Sequence, residues 1–237
     1  MTRYHRQTLL PEIGEEGQHR LQKARVLIVG VGGLGCPVAT YLCAAGVGHI
    51  GLVDDDVVSL SNLHRQVLYT ESDVGQPKVT CAARRLRRLN SDITIDEYPF
   101  RLTKESGADL LRCYDMVIDG CDNYPTRYLI SDLCSTLHIP YIYGAITALT
   151  GQVGILCHGE NAATYRTLFP ERAEGEGDSE KEVTAAPSPV IGPTPAIVGS
   201  VQAAEAIKLV CQFGEPLVGK LWNIDLLTMQ TCIISLQ

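Results

Sequence analysis

Short apolar runs alternate along the chain with longer stretches of helical pattern. Arg25-Val26-Leu27-Ile28-Val29 is apolar at consecutive positions and stops at a glycine. That pattern belongs to a strand buried on both faces of a parallel sheet. Residues 33–45 are small and apolar and predict a helix, and His49-Ile50-Gly51-Leu52-Val53 predicts a second strand, closed by Asp54-Asp55-Asp56. Strand, glycine turn, helix, strand and acid make a βαβ unit. Pro77 suits a first helical turn, and Val79, Ala82, Ala83, Leu86 and Leu89 follow at helical spacing, so residues 77–90 predict a helix. Its other side carries Arg84, Arg85, Arg87 and Arg88, either a solvated face or a docking patch for an acidic partner. Strands near 93–95, 116–119 and 141–143 and a helix over 123–138 continue the alternation of a doubly wound, mostly parallel α/β sheet. Residues 152–157 predict a strand that opens an antiparallel extension, 196–213 a buried helix, and 220–225 and 230–236 closing strands. The first 24 residues or so are polar, with a turn at Glu12-Ile13-Gly14. Residues 158–195 read as a long flexible crossing loop: 171–182 hold six acids and two bases, and Pro187, Pro189, Pro193 and Pro195 follow.

With 237 residues the chain is long enough for a full core, and we read residues 1–237 as a single domain. A net charge of −7 argues against general binding to nucleic acid or an anionic membrane. Met1-Thr2-Arg3-Tyr4-His5-Arg6 leads into no apolar stretch, so no secretory signal is expected, and the longest apolar region is broken by Glu205 and Lys208. Nine cysteines are scattered without a C-x-x-C pair, which suits reduced thiols and a cytoplasmic setting.

The candidate chemistry starts at Gly30-Val31-Gly32-Gly33-Leu34-Gly35, between a strand and a helix. Glycines there let backbone approach a phosphate, and the helix start supplies N–H donors and partial positive charge. Asp54, at the end of the next strand, can accept hydrogen bonds from ribose hydroxyls. This Rossmann-like arrangement speaks for an adenine nucleotide without saying which, and a nicotinamide-dependent oxidoreductase fits it. Tight packing alone would also explain the glycines.

Three further segments shift the balance: Ser61-Asn62-Leu63-His64-Arg65-Gln66, Gly75-Gln76-Pro77-Lys78 and Asp119-Gly120-Cys121-Asp122-Asn123-Tyr124-Pro125-Thr126-Arg127. A dinucleotide's diphosphate is handled largely by backbone donors. A triphosphate calls for Arg and Lys forks and a metal-holding carboxylate. Arg65 and Lys78 supply the cations, and Asp122 falls just past a strand end, where ligands bind in such sheets. Each has a plainer reading: Asp122 as a helix N-cap, Arg65 and Lys78 as surface ion-pair partners, Asn62 as a turn residue, Arg6 as a solvated charge.

In these motifs, from Arg3-Tyr4-x-Arg6-Gln7 through G-x-G-G-L-G to Gly199-Ser200-Val201-Gln202-Ala203-Ala204-Glu205, the chain resembles the ThiF/MoeB/HesA family, bacterial relatives of ubiquitin-activating enzymes. The resemblance covers nearly the whole chain. It implies ATP-dependent adenylylation of the C-terminal glycine of a ubiquitin-like sulfur-carrier protein ending in Gly-Gly, in thiamin-thiazole or molybdopterin assembly. It implies that Gly30, Gly32, Gly33, Gly35 and Gln66 line the nucleotide site and Asp54 binds ribose. Asn62, Arg65 and Lys78 then contact phosphates, Asp122 holds Mg²⁺, and Arg6 reaches the neighbouring site of a homodimer. A nucleotide-binding module without catalysis would share these motifs.

The chain also departs from the family pattern. Many relatives bind zinc through two C-x-x-C pairs, the first in a C-Y-R-C pattern where this chain reads Thr164-Tyr165-Arg166-Thr167. The second pair would lie past Gln237, so no zinc site is expected. Between Cys157 and Cys211 there is no cysteine. Covalent chemistry from the crossing loop is therefore not expected, and the reaction should stop at the acyl-adenylate. The loop reads equally as a cover for the carrier's tail or a solvated acidic insertion.

Overall fold

A computed structural model of the chain describes residues 3–160, 162–170 and 189–236. Among these, the strands form one eight-stranded sheet ordered β3-β2-β1-β4-β5-β6-β7-β8. The strands are β1 Arg25–Val29, β2 His49–Val53, β3 Thr94–Tyr98, β4 Met116–Asp119, β5 Tyr141–Thr147, β6 Thr150–Leu156, β7 Lys220–Asp225 and β8 Gln230–Ser235. Strands β3 to β5 pair in parallel, and β5 to β8 pair antiparallel, as expected.

The unbroken apolar run of β1 is explained by two cores. Val26 and Ile28 pack on one face, with Val38 and Leu42 of α3 (Gly35–Ala45), Val79 and Leu86 of α4 (Lys78–Leu89) and Val198 and Ala203 of α8 (Pro193–Cys211). Leu27 and Val29 pack on the other, with Leu111 of α5 (Lys104–Leu111) and Ile130 and Cys134 of α6 (Tyr124–Leu137). Alternate side chains of a strand point to opposite faces, so a strand covered twice has no polar side. The chain order reverses between β1 and β4, and the carboxyl ends of β1, β2 and β4 therefore open a crevice at that point.

Two expectations need correction, and the polar N-terminal region, where the pattern marks only a turn, is helical as α1 His5–Thr8 and α2 Gly14–Lys23. Helix α2 buries only Gly17, Gln18 and Leu21, a stripe too narrow to show against Glu15, Glu16, His19, Arg20 and Lys23. The crossing segment contains a helical turn, α7 Tyr165–Leu168, and α8 begins at Pro193 rather than 196. Pro193 and Pro195 stand in the first turn of α8, where the missing N–H is no loss. These prolines are the start of the helix. The acid-rich stretch 171–182 lies outside the described residues.

The basic side of α4 is partly spoken for. Arg84 pairs with Asp73, and Arg87 with Glu97 at 2.7 Å. All nine cysteines are free thiols, seven of them buried. No helix among the described residues is long and apolar enough to cross a membrane.

Candidate functional site

The glycine turn after β1 is packed backbone to backbone against the turn after β4. Gly30 has φ +90°, and a Cβ there would lie 2.5 Å from the carbonyl oxygen of Gly120. Only glycine meets both demands. The peptide that follows is held at both ends. The Val31 N–H donates to Asp54 Oδ2 at 2.7 Å, and the Val31 carbonyl accepts from the Tyr69 hydroxyl at 2.7 Å. The other Asp54 oxygen accepts the Asp56 N–H at 2.9 Å. Asp54 thus braces the glycine turn in addition to standing at the expected ribose position. Burial raises its pKa above the ordinary 3.8, and the nearby Lys78 cation works against that rise.

The predicted cations line the same turn. The Arg65 stem runs along Gly33, with its Cδ 3.6 Å from where a Cβ would stand. Its guanidinium donates to the Ser61 carbonyl at 3.1 Å and to His64 Nε2 at 2.8 Å. Lys78 is buried, and its ammonium meets the exposed Asp56 carboxylate at 2.7 Å. The Gln66 amide lies beside Gly32, and its buried Oε1 has no hydrogen-bond partner. Asn62 acts as the turn residue of its plainer reading, accepting the Ser59 N–H at 3.2 Å.

Asp122 does not cap the next helix. That cap is Asn123, whose Oδ1 accepts the Thr126 N–H at 3.0 Å. Asp122 is left exposed at the carboxyl edge, touched by the Asn123 amide at 3.4 Å. Arg6 is not brought to this cluster. Tyr4 packs on Gly46 at the far end of α3, and Gln7 donates to the Ala45 carbonyl. Arg6 is therefore at the opposite end of that helix from the glycine turn, and exposed.

A magnesium ion takes hard oxygen ligands. The tightest carboxylate group among the described residues is Asp54, Asp55 and Asp56, with oxygens within 4.8 Å of one another. Each of these is already engaged: Asp54 by two backbone N–H groups, Asp55 by Arg101 at 3.2 Å and Asp56 by Lys78. The donor set that fits the ion without breaking such pairs is the Asp122 carboxylate with phosphate and water oxygens.

Several supporting residues went without an assignment in the sequence. Asp119, fully buried, accepts from the Cys121 N–H, Arg127 Nε and the Tyr141 hydroxyl at 2.8, 3.1 and 2.8 Å. Arg127 also donates to the carbonyls of Cys121 and Gly144 at 2.8 and 3.3 Å. Gln202 of α8 donates to the carbonyls of Asp119 and Ile142 at 2.8 and 3.2 Å. These groups hold the ends of β4 and β5 and the turn bearing Asp122. The signal was an acid ending an apolar strand with an arginine eight residues on, in the first turn of the next helix.

With this geometry in place, the chain was compared with known proteins. The model of the ThiF family matches residues 4–237. The chain belongs to the ThiF family. It is 48% identical over 231 residues to the sulfur carrier protein adenylyltransferase of Thermus thermophilus, covering 96% of this chain and 84% of that protein. It is 42% identical over 229 residues to the SAMP-activating enzyme E1 of Haloferax volcanii, covering 97% and 83%. Against the adenylyltransferase and sulfurtransferase MOCS3 of Mus musculus it is 44% identical over 223 residues, covering 94% of this chain and 47% of that one. The chain thus spans about half the length of the MOCS3 relatives. Among solved structures, Escherichia coli MccB with ATP superposes with a TM-score of 0.87 at 24% identity, over 99% of this chain and 72% of that one. That likeness carries the fold. The ThiF-family fold places the glycine turn, Asp54, Arg65, Lys78 and Asp122 along one sheet edge.

Proposed function

We propose that this chain is an adenylyltransferase that uses ATP to activate the C-terminal glycine carboxylate of a ubiquitin-like sulfur-carrier protein, releasing pyrophosphate. The carrier ends in Gly-Gly and serves thiamin-thiazole or molybdopterin assembly. The observation that carries this reading is the 48% identity to a sulfur carrier protein adenylyltransferase over 96% of the chain. The cationic crevice at the β1–β4 switch point agrees with it.

The attacking group needs no base. A terminal carboxylate, with a pKa of about 3.5, is ionised at neutral pH. One of its oxygens bonds to the α-phosphorus, the bond from that phosphorus to the bridging oxygen breaks, and the electron pair leaves with pyrophosphate. The obstacles are repulsion between anions and charge growing on the leaving group. Backbone N–H groups of the Gly30 turn and the start of α3 receive phosphate oxygens. Arg65 and Lys78 offset the growing charge. Lys78 reaches the phosphates by exchanging its Asp56 partner, and Arg65 by releasing His64 and the Ser61 carbonyl. Magnesium, held by Asp122, would supply further positive charge to the triphosphate. Asp54 holds the ribose while keeping its bond to Val31, since a carboxylate oxygen accepts more than one hydrogen bond.

The product remains an acyl-adenylate on this chain. Cys121 lies in the site, but burial pushes its thiol pKa well up, so it stays protonated and unreactive. Arg6 serves the second subunit of a symmetric dimer. The deciding experiment is ATP–pyrophosphate exchange with carriers ending in Gly-Gly. Exchange that requires the last glycine is the expected result. Failure with every such carrier, or equal exchange with carriers lacking that glycine, would overturn the assignment.

A further inference from the structure

The family pattern that the sequence resembles has a zinc-binding C-Y-R-C pair where this chain has Thr164-Tyr165-Arg166-Thr167, and the side chains here do not fit a metal. Thr164 and Thr167 spend their hydroxyls on the backbone. Thr164 Oγ1 accepts the Thr167 N–H at 3.3 Å, and Thr167 Oγ1 accepts the Thr164 N–H at 2.9 Å and donates to the Thr164 carbonyl at 2.7 Å. Neutral hydroxyls so committed are poor partners for zinc, which favours thiolate and imidazole.

The segment is held by other means. Tyr165 is 1% exposed, and its N–H donates to Ser131 Oγ at 2.9 Å. Its ring meets those of Tyr128, Tyr143 and Phe169 at 5.0, 5.5 and 4.9 Å. Arg166 forks onto Asp132 at 2.8 and 2.7 Å and lies over the Tyr128 ring at 4.9 Å. These contacts all go to α6 and β5 or stay within the segment. Helix α6 follows the turn bearing Asp122, and β5 lies beside β4, the strand that leads into it.

From the aromatic group a continuous line of contacts runs into the site. The Tyr165 ring packs against the Tyr143 ring at 5.5 Å, and the Tyr143 ring faces the Arg127 guanidinium at 5.7 Å. Arg127 in turn holds the Asp119 carboxylate and the Cys121 carbonyl. The aromatic wall closes one side of the space in which the guanidinium sits. Removing the Tyr165 ring would give Arg127 a second place to lie and loosen its hold on residues 119–122.

We propose that residues 164–169 form a metal-free latch and that Tyr165 is a positioning residue which, through Arg127, fixes the turn carrying Asp122. Only the kinetic arm of its test rests on the adenylyltransferase reading. The full chain and its Tyr165→Ala, Tyr165→Leu and Arg166→Gln variants are compared by elemental analysis, melting with and without a zinc chelator, ATP–pyrophosphate exchange and amide hydrogen exchange. The expected chain holds less than about 0.1 zinc and melts alike with the chelator. Tyr165→Ala is expected to lower kcat about 10- to 100-fold with the ATP KM within about twofold, as for a small misplacement of a reacting group. It should also lower protection of the Cys121 N–H, bonded to Asp119, about tenfold while β1 amides hold. Arg166→Gln, on the outer side, should leave kcat unchanged. If Tyr165→Ala does not fold, Tyr165→Leu decides, since it keeps apolar bulk without the ring, with a fall of about threefold in Cys121 protection expected. One zinc per chain, or a Tyr165 variant that keeps both kcat and Cys121 protection while melting lower, would overturn the inference. If the unaltered chain shows no exchange, the functional reading fails, and zinc content and Cys121 protection still decide the latch.

Discussion

The proposed reaction has Arg65 and Lys78 meet phosphate by exchanging the partners that the protein already gives them. Each is occupied by a protein partner that phosphate oxygens can replace, an exposed carboxylate for Lys78 and a histidine and carbonyl for Arg65. Phosphate oxygens can take the place of these partners, because the Asp56 carboxylate is exposed and can return to water when Lys78 leaves it. Arg65→Ala and Lys78→Met should therefore lower ATP–pyrophosphate exchange about 100-fold, while chemical denaturation shows stability changed by about 1 kcal/mol or less. Near-normal exchange in either variant would remove that residue from the mechanism. Asp54 adds a pH dependence with a definite sign. Burial raises its folded-state pKa above the usual 3.8, so the folded chain binds that proton more tightly than the unfolded chain does. Its ionisation is then a cost to folding that grows as pH rises above 3.8 toward the raised value and persists beyond it. The stability of the unaltered chain relative to Asp54→Asn should accordingly rise as pH falls through that window. Parallel urea titrations at acid and neutral pH that give the same difference would contradict it.

At the scale of elements, the proposed binding residue Asp122 stands next to Asn123, which is structural. Asn123 caps α6 through the Thr126 N–H, and Asn123→Ala should cost about 1 kcal/mol of stability. Asp122→Ala should change stability by no more than about 0.5 kcal/mol yet abolish exchange. The reverse ranking in denaturation and exchange assays would make Asp122 the cap and remove it from magnesium binding. This pair also marks how far the sequence could be read. Strands β1, β2, β4 and β7 were legible because burial on two faces or a clear flanking turn leaves little choice. The edge of the site was legible because Asp54 and Asp122 each follow a strand. Helix α2 was not, since three buried residues in ten barely disturb a polar pattern. The start of α8 was hidden by prolines that serve a first helical turn and a loop equally well. The brace of Asp119, Arg127 and Gln202 depends on which strands lie side by side. Strand order is a property of the whole sheet that no local spacing reveals.

The placement of Arg6 turns the quaternary structure into a testable part of the mechanism. In one subunit it is carried on α1, beside the end of α3 farthest from the glycine turn. Helix α3 has 11 residues, a length of about 16 Å, so Arg6 and its own subunit's site lie at opposite ends of that span. If Arg6 acts in adenylylation, it acts on the site of a second copy, and a twofold dimer then has two composite sites. Arg6→Ala and Asp122→Ala chains should each be inactive alone. Denatured together in equal amounts and refolded, they form mixed dimers in half of the assemblies. Each mixed dimer has one site with neither group and one site with both. Pyrophosphate exchange should recover to about one quarter of the unaltered activity. Were Arg6 to act within its own subunit, every site in the mixture would lack one group, and exchange would stay at the level of the single variants. A monomer in sedimentation equilibrium, or a mixture that stays inactive although mixed dimers are seen by native mass spectrometry, would confine the site to the Gly30 turn, Asp54, Arg65, Lys78 and Asp122 of a single chain.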